Sequence, residues 1–160
     1  MHGDTHFTHF YSNYGETLQK RFFGHFLKGE DNGWAKQPRV SLNIRHPGEK
    51  FVLRGENEWP LARTQWTKYF LQPDGLTLAT NTPAAETKLS YQTTGDGLTF
   101  RTPPLTRAYE ITGPVAAKLW VSSDTTDADL FLALRLFDPA GKEVTFIGSN
   151  DPRVPVGLGW

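Results

Sequence analysis

Histidines crowd the first ten residues of the chain. His2, His6 and His9 lie in the run HGDTHFTHFY, with Asp4 between the first two. An imidazole acts as a general base when a nucleophile and an orienting carboxylate lie beside it. The same side chains bind Zn²⁺ when a helix or strand holds them together, but the intervening glycine and threonine break such regularity. We therefore expect a candidate base and no resident metal, and spacing alone does not choose among the three histidines.

A nucleophile for this base is missing from the sequence. The serine of an α/β-hydrolase stands in Gly-x-Ser-x-Gly between a strand and a helix. No serine of the chain lies in that motif; they are Ser12, Ser41, Ser90, Ser122, Ser123 and Ser149. The absence of cysteine excludes a cysteine nucleophile, a disulfide framework and cysteine metal ligands.

A second polar cluster follows a predicted strand further along the chain. Asp124, Asp127 and Asp129 offer carboxylates that could bind Ca²⁺, but the segment lacks the glycine and terminal glutamate of an EF-hand loop. We interpret it as a solvated turn that caps two strands.

Length and charge limit the classes of function. The 160 residues are enough for one main core. Lys plus Arg and Asp plus Glu both number 17, so no broad field attracts nucleic acid or an anionic membrane. The residues after Met1 are polar, unlike a signal peptide, and no apolar run reaches the roughly 18 residues that span a bilayer. The sequence predicts a soluble protein, cytoplasmic or exported, without nucleic-acid or membrane partners.

The sequence predicts one helix directly after the histidine-rich segment. Between positions 13 and 27 the apolar residues fall at three- and four-residue spacings: Tyr14, Leu18, Phe22, Phe23, Phe26 and Leu27. Asn13 as N-cap with Glu16 three residues later fits a capping box, and Lys28-Gly29 supplies the basic last turn and the left-handed stop.

After Pro38 the apolar period changes to two, which is typical of strands. Val40, Leu42 and Ile44 alternate with polar residues, and a second set predicts the buried face of a central strand: Leu130, Leu132, Leu134 and Leu136. Further candidate strands cover residues 64–71, 76–79, 88–93, 98–101, 109–112, 117–122 and 144–147. Turn residues separate them at Pro73-Asp74-Gly75, Gly95-Asp96-Gly97, Gly113-Pro114 and Pro139-Ala140-Gly141. The pattern predicts a mainly β fold, an antiparallel jelly-roll sandwich preceded by one helix.

Tryptophans raise an alternative function. A carbohydrate-binding jelly roll presents flat aromatic rings in a row on one exposed face. The five tryptophans are Trp34, Trp59, Trp66, Trp120 and Trp160. Trp120 alternates with Leu119 and Val121 in an apolar segment, so we expect core or inter-domain packing for most of them.

Several segments in order resemble the carboxyl-terminal part of one enzyme family. QKRFFGHFLKGEDNGW, PRVSLNIR, ENEWPLART, LSYQTT, LTFRTPPL and ITGPVAAKLWVSSDTTDADLFLALRLFDPAGKE are similar to the X-prolyl dipeptidyl-peptidase and cocaine-esterase (CocE/NonD) serine hydrolases. The resemblance covers essentially the whole chain. It implies a parent enzyme with an α/β-hydrolase domain, a Ser-Asp-His triad and no cofactor, followed by a non-catalytic, galactose-binding-like jelly roll.

The resemblance also implies roles and boundaries. Residues 1–36 would be the last loop and helix of an incomplete hydrolase domain, and residues 37–160 would be a truncated jelly-roll domain. The parent enzyme would therefore continue beyond both ends of this chain. His6 takes the place of the general base, with His2 as the alternative, and Gly24 stands where the family usually has an acidic residue. The substrate of the parent enzyme would be an ester or an amide such as an X-Pro peptide; the substrate-binding residues stay unknown. The isolated chain should be inactive.

The apolar helix face has a further consequence. On this reading it docks on a hydrolase sheet that the chain lacks, and each large side chain left in water forfeits roughly 1.5–3 kcal/mol. We therefore expect a second copy to cover it, which gives a homo-oligomer through the helix face.

Overall fold

A computed structural model describes residues 9–160, and its secondary structure is mainly strand with one helix. The helix is α1 (Asn13–Lys28), and the strands are β1 (Val40–His46), β2 (Lys50–Glu56), β3 (Phe70–Gln72), β4 (Thr77–Ala79), β5 (Leu132–Leu134), β6 (Leu136–Phe137), β7 (Glu143–Val144) and β8 (Gly157–Gly159). These strands pair antiparallel in four two-stranded sheets: β1–β2, β3–β4, β5–β8 and β6–β7. The chain divides into two compact units, of which Ala62–Pro114 is one.

Helix α1 begins one residue earlier than predicted. Ser12, not Asn13, is the N-cap: its extended backbone lets its hydroxyl accept from the Gly15 N–H at 3.2 Å. The predicted stop is confirmed, because Gly29 adopts φ 68° and its N–H donates to the His25 carbonyl at 3.2 Å. A left-handed residue lets the chain turn off the helix axis without a Cβ clash.

Two glycines of α1 are buried for different reasons. A Cβ on Gly15 would overlap the backbone oxygens of His9 and Phe10, so the chain before the helix passes too close for a side chain. A Cβ on Gly24 would meet the carboxylate of Glu30, the mobile end of a side chain. The lack of a side chain at Gly24 therefore leaves room for the Glu30 carboxylate to lie against the helix.

The hairpin of β1 and β2 is the longest paired segment. Ile44 pairs with Val52 and Asn43 with Leu53, so these pairs lie on opposite faces. The turn places Gly48 at φ 80° and Glu49 at φ 56°.

The tip of this hairpin is tied to a distant segment, and we call the contact the hairpin joint (Arg45, Glu49, Phe146 and Ile147). Glu49 Oε1 accepts from the Ile147 N–H at 2.7 Å, and the Arg45 guanidinium donates to the Ile147 carbonyl at 3.1 Å. Arg45 also stacks 4.3 Å from the Phe146 ring centroid. Phe146 is 6% exposed. Among residues 9–160, Phe146 and Leu61 are the two apolar residues that are almost fully buried.

Two predicted turns are confirmed by their backbone geometry. At the Asp138–Gly141 turn that joins β6 to β7, the Asp138 carboxylate accepts from the Ala140 and Lys142 N–H groups, each at 2.9 Å, and Gly141 adopts φ 81°. At the turn between β3 and β4, Gly75 adopts φ 67°. Arg101 forms a parallel bridge with Thr77 of β4: its carbonyl accepts from the Leu78 N–H at 2.8 Å and its N–H donates to the Leu76 carbonyl at 3.0 Å.

Several predicted strands are wrong. Residues 64–69, 88–93, 109–112 and 117–122 are not strands, and 98–101 is reduced to a single bridge at Arg101. Leu132 was predicted to be buried but is 40% exposed, while Leu130, Leu134 and Leu136 are half-buried. Alternation determines only which side chains can share a face. A strand also needs a partner backbone in register, which the pattern does not identify. The jelly-roll arrangement stays a prediction.

Candidate functional site

His9 is the one candidate base that lies in the part of the chain that the structure describes. Its carbonyl accepts from the Ser12 hydroxyl at 2.7 Å, which holds the residue against the start of α1. Its ring packs against the Tyr14 ring, with centroids 5.1 Å apart and planes tilted by 55°. His6, His2 and Asp4 lie outside the described residues, so the assignment of the base to His6 stays a prediction.

A cavity of about 290 Å³ opens beside His9, and we call it the His9 cavity. Its walls are His9, Tyr14, Asn43, Phe51 and Leu53. His9 precedes α1, Tyr14 lies in its first turn, and the other three residues come from the β1–β2 hairpin.

The hairpin register explains why these three residues share a wall. Asn43 pairs with Leu53 and Arg45 with Phe51, so all four side chains lie on one face of the hairpin. Arg45 is directed to the hairpin joint, where it meets Glu49 and Ile147. Among the residues that the structure describes, the lining contains no carboxylate, ammonium or guanidinium group.

The described serines do not complete a catalytic pair with His9. Ser12 caps α1 and donates to the His9 carbonyl rather than to its ring. The Ser123 hydroxyl lies 2.7 Å from the Thr125 hydroxyl and accepts from the Thr125 N–H at 3.1 Å, the arrangement of a serine turn. These two hydroxyls stabilise local backbone.

The acidic cluster is also engaged in a turn. The Asp127 carboxylate accepts from the Ala128 N–H at 2.8 Å, and its carbonyl accepts from the Thr125 hydroxyl at 2.6 Å. Within residues 9–160 no three His, Cys, Asp or Glu side chains come together as a metal site. Nor does any helix of that stretch have the length and apolarity to cross a bilayer.

A two-bond ion pair lies outside the lining of the cavity. The Arg135 guanidinium binds Glu143 with two bonds, Nε to Oε1 at 2.9 Å and a terminal nitrogen to Oε2 at 2.5 Å. These hydrogen bonds lower the pKa of the Glu143 carboxyl. Because Arg135 directly precedes β6 and Glu143 lies in β7, the pair stabilises this hairpin rather than a reaction centre.

The tryptophans divide into packed and exposed rings. Trp34 packs against Phe22 and Phe26 of α1, with centroids 5.2 and 6.3 Å apart. Trp120 was predicted to lie in a core strand, but it is 84% exposed and lies outside any strand. The alternation around Trp120 has no strand to pair with in the described residues, and the Lys118 ammonium lies 5.0 Å from its ring.

Sequence reasoning missed most of the cavity. It assigned Tyr14 to the helix face, did not single out Asn43, and omitted strand β2, which carries Phe51 and Leu53. The available signal was Pro47-Gly48 between two apolar segments, a dipeptide that marks a reversal.

Comparison with known proteins adds independent information. Residues 32–160 match the family described as the X-Pro dipeptidyl-peptidase C-terminal non-catalytic domain. The chain is 27% identical over 166 residues to the cocaine esterase of Rhodococcus sp. (strain MB1 Bresler), an alignment that covers 80% of this chain. The chain spans about 28% of the length of that curated relative. No solved structure matches significantly.

Proposed function

Because the chain belongs to the family of X-Pro dipeptidyl-peptidase C-terminal non-catalytic domains, we propose that it is part of a serine hydrolase that cleaves esters or amides. In this proposal residues 37–160 form the non-catalytic β domain of that enzyme. Residues 1–36 form the last loop and helix of its catalytic domain. The similarity to a cocaine esterase supports ester or amide hydrolysis as the reaction class.

The observation that carries the proposal is where the family match begins. It starts at residue 32, after the end of α1 at Lys28, so His9 and the helix precede the non-catalytic domain. The helix is also the element whose apolar residues stay exposed: Phe23 is 51%, Phe26 60% and Leu27 76% exposed. A helix that lies before the matched domain and is uncovered on one side fits an element whose partner belongs to the preceding domain.

The base of the proposed triad is His6, with His2 as the alternative. The nucleophile and the acid would come from the upstream part of the enzyme, where a Gly-x-Ser-x-Gly turn is required. Acyl transfer by such a triad needs no cofactor. The isolated chain should be inert toward unactivated esters and X-Pro amides, because nucleophile and oxyanion hole are supplied elsewhere.

The decisive experiment uses the full-length protein encoded by the surrounding reading frame. Turnover of an unactivated ester and of an X-Pro amide should be saturable and should fall by about 10³-fold or more in His6→Ala, as for removal of a triad member. His46→Ala, which replaces an exposed histidine at the end of β1, is the control and should keep most of the activity. If His2→Ala alone abolishes turnover, the base is His2. If the full-length protein has no hydrolase activity, or if the 160-residue chain turns over these substrates by itself, the proposal fails.

We also propose the jelly-roll arrangement for residues 37–160. A sandwich would require the two-stranded sheets β1–β2, β5–β8 and β6–β7 to join into larger sheets. Amide exchange on the full-length enzyme tests this directly. Protection of the amides that face away from the partner strand in each pair supports the sandwich, and free exchange of these amides contradicts it.

For the 160-residue chain itself we propose a homo-oligomer through the helix face. Glu16, Lys20, Phe23 and Leu27 follow one stripe of α1, and Glu16 and Lys20 form an ion pair at 3.4 Å. An antiparallel second copy would cover Phe23 and Leu27 with the same residues of its partner. Light scattering should show a dimer that Leu27→Asp dissociates, whereas Lys28→Asp, outside the stripe, should leave it intact. A monomer at high concentration overturns this assembly.

An independent ligand-binding module is a second candidate, and one observation favours it. Phe131 and Trp160 each lie one residue beyond the pair Leu132–Gly159, at the end of the β5–β8 ladder. They are 82% and 90% exposed, and the strand alternation places them on one face. Stacking rings in this arrangement suit a sugar. A shift in tryptophan fluorescence on titration with oligosaccharides, lost in Trp160→Ala and kept in Trp59→Ala, would support this alternative.

A further inference from the structure

The segment between α1 and β1 folds back along the helix, and we call the contact the linker clasp (Arg21, Asn32, Trp34 and Gln37). The Asn32 side-chain amide donates to the Arg21 carbonyl at 2.8 Å, and Arg21 Nε donates back to the Asn32 carbonyl at 3.3 Å. The two residues are 11 positions apart, which is well beyond the reach of an ordinary helix cap. The reciprocal pair therefore joins the middle of α1 to the chain that leaves it.

Other contacts of the linker clasp hold the same two segments together. Asn32 Oδ1 accepts from the Trp34 N–H at 3.2 Å, and the Trp34 ring packs against Phe22 with centroids 5.2 Å apart. The terminal nitrogens of Arg21 face the Gln37 amide, whose oxygen accepts from them at 2.6 and 3.2 Å when it is turned toward the guanidinium. Asn32 thus uses both ends of its amide, and Arg21 uses all three guanidinium nitrogens.

The far end of the linker clasp continues directly into the β1–β2 hairpin. Pro38 follows Gln37 and packs on Gly55 of β2, where an added Cβ would lie 3.1 and 3.2 Å from the Pro38 Cβ and Cγ atoms. Gly55 in turn pairs with Ser41 of β1. Helix α1 is therefore connected to the first hairpin of the family domain through packed and hydrogen-bonded residues.

The chain before α1 is attached to the other end of the helix. The Gln19 side-chain amide donates to the Phe10 carbonyl at 3.0 Å, and the Ser12 hydroxyl donates to the His9 carbonyl at 2.7 Å. Residues 9–12 are thus held to α1 by side chains of the helix and of its cap. In the proposed hydrolase the loop with the general base leads into this segment.

We propose that Asn32 and Arg21 are positioning residues of that hydrolase: the linker clasp fixes α1, and with it the end of the base loop, relative to the non-catalytic domain. A fixed orientation matters because a displacement of about 1 Å in a reacting group can cost about 100-fold in rate. An open clasp lets α1 and the hairpin adopt different relative orientations, so the base is aligned less often. This inference rests on the proposed function and gives the non-catalytic domain a role in it.

The first measurement uses the 160-residue chain. Residual dipolar couplings report the orientations of backbone N–H bonds, so α1 and the β1–β2 hairpin should fit one alignment tensor in the wild type and two different tensors in Asn32→Ala. Asn150→Ala, which truncates an exposed asparagine outside the clasp, is the matched control and should keep one tensor. Separate tensors in the wild-type chain, or one tensor in Asn32→Ala, would overturn the clasp.

The second measurement uses the full-length enzyme and an unactivated ester, with turnover expressed per active site counted by a serine-directed inhibitor. Asn32→Ala should lower kcat about 10–100-fold with KM unchanged, because the reacting groups are misaligned while the substrate contacts remain. Arg21→Met keeps the apolar stem, removes the guanidinium and should have the same effect. Lys20→Met, at an exposed position of α1 outside the clasp, is its control. The double variant should be about as slow as the slower single variant, since either change opens the same clasp.

Each outcome of the turnover series decides the positioning role. If one variant fails to fold, the other decides, because both open the same clasp. An unchanged kcat, a rise in KM alone, an equal loss in Lys20→Met, or a loss in the double variant equal to the product of the two single losses would overturn the role. These results leave the hydrolase proposal intact because they require an active wild-type enzyme, whereas an inactive wild-type enzyme overturns both.

Discussion

Replacing Glu49 tests whether the hairpin joint stabilises the fold. The carboxylate accepts from the Ile147 N–H at 2.7 Å and pairs with Arg45 at 3.5 Å, with 28% of the Glu49 side chain and 34% of the Arg45 side chain exposed. A hydrogen bond to a charged group contributes about 1.5–3 kcal/mol to stability, and a partly exposed ion pair adds about 0–1. Glu49→Ala should therefore lower the free energy of unfolding by about 2 kcal/mol.

The left-handed backbone conformation of Glu49 lowers the stability of the fold, whereas its side-chain contacts raise it. At φ 56° a residue with a Cβ costs roughly 1–2 kcal/mol relative to glycine. Glu49→Gly loses the same contacts as alanine but removes this strain, so it should cost only about 1 kcal/mol. Glu49→Gln keeps both the Cβ and an acceptor oxygen and should cost under about 1 kcal/mol. The expected order of stability is wild type, Gln, Gly, Ala.

Two assays measure the series. Urea unfolding followed by tryptophan fluorescence gives the free energies, and hydrogen exchange at the Ile147 amide reports the joint directly. Glu49→Ala should accelerate Ile147 exchange by about tenfold or more, since 1.4 kcal/mol corresponds to a factor of ten. Lys20→Ala, which removes an exposed surface ion pair, is the control and should change stability by under about 0.5 kcal/mol. Unchanged Ile147 exchange in Glu49→Ala, or a glycine variant less stable than the alanine variant, would refute the reasoning.

Three further outcomes follow from the described contacts. Gly15→Ala should reduce the helical circular dichroism signal, although alanine favours a helix by about 1 kcal/mol over glycine, because the backbone of His9 and Phe10 must move. Gly24→Ala should give a helical signal equal to that of wild type or larger, because the nearest obstacle is the end of the Glu30 side chain. Equal signals from the two variants would contradict this packing. Ser12→Ala should lower the free energy of unfolding, measured by thermal denaturation, by about 1 kcal/mol because the N-cap is lost. An unchanged stability would indicate that Asn13 rather than Ser12 caps the helix. The Glu143 carboxyl should titrate below an ordinary glutamate by NMR, so its contribution to stability is present above the ordinary pKa and is lost as the pH falls through the lowered value. Arg135→Gln should bring that titration back to the ordinary range, and an unchanged titration would exclude the ion pair as its cause.

Local signals of the sequence predicted the helix and the turns well. The predicted end at Lys28-Gly29 is observed, and the predicted start differs by one residue because Ser12 and Asn13 are both good caps. Gly75 and Gly141 adopt the left-handed conformations that the turn chemistry requires. These features depend on a few neighbouring residues, so the sequence contains all the information they need.

Pairing between distant segments was not predictable in the same way. Strand β8 is mostly glycine, so its sequence does not indicate a strand. It nevertheless pairs with β5, where Gly157 and Gly159 lie opposite Leu134 and Leu132. The His9 cavity likewise depends on the β1–β2 register and on the path of the chain before α1. Alternation indicates which side chains share a face, but it does not identify the partner.

The hairpin joint also affects the order in which the chain can assemble. The β1–β2 hairpin closes a short turn at Gly48, whereas the joint connects residues 98 and 102 positions apart. Closing a loop of that length rather than one of a few residues costs about 3 kcal/mol more in chain entropy. On a ribosome that adds roughly 5–20 residues per second, Ile147 emerges roughly 5–20 s after the hairpin is complete. During that interval the hairpin lacks the contacts that Arg45 and Glu49 make with Ile147, so the joint forms late in synthesis.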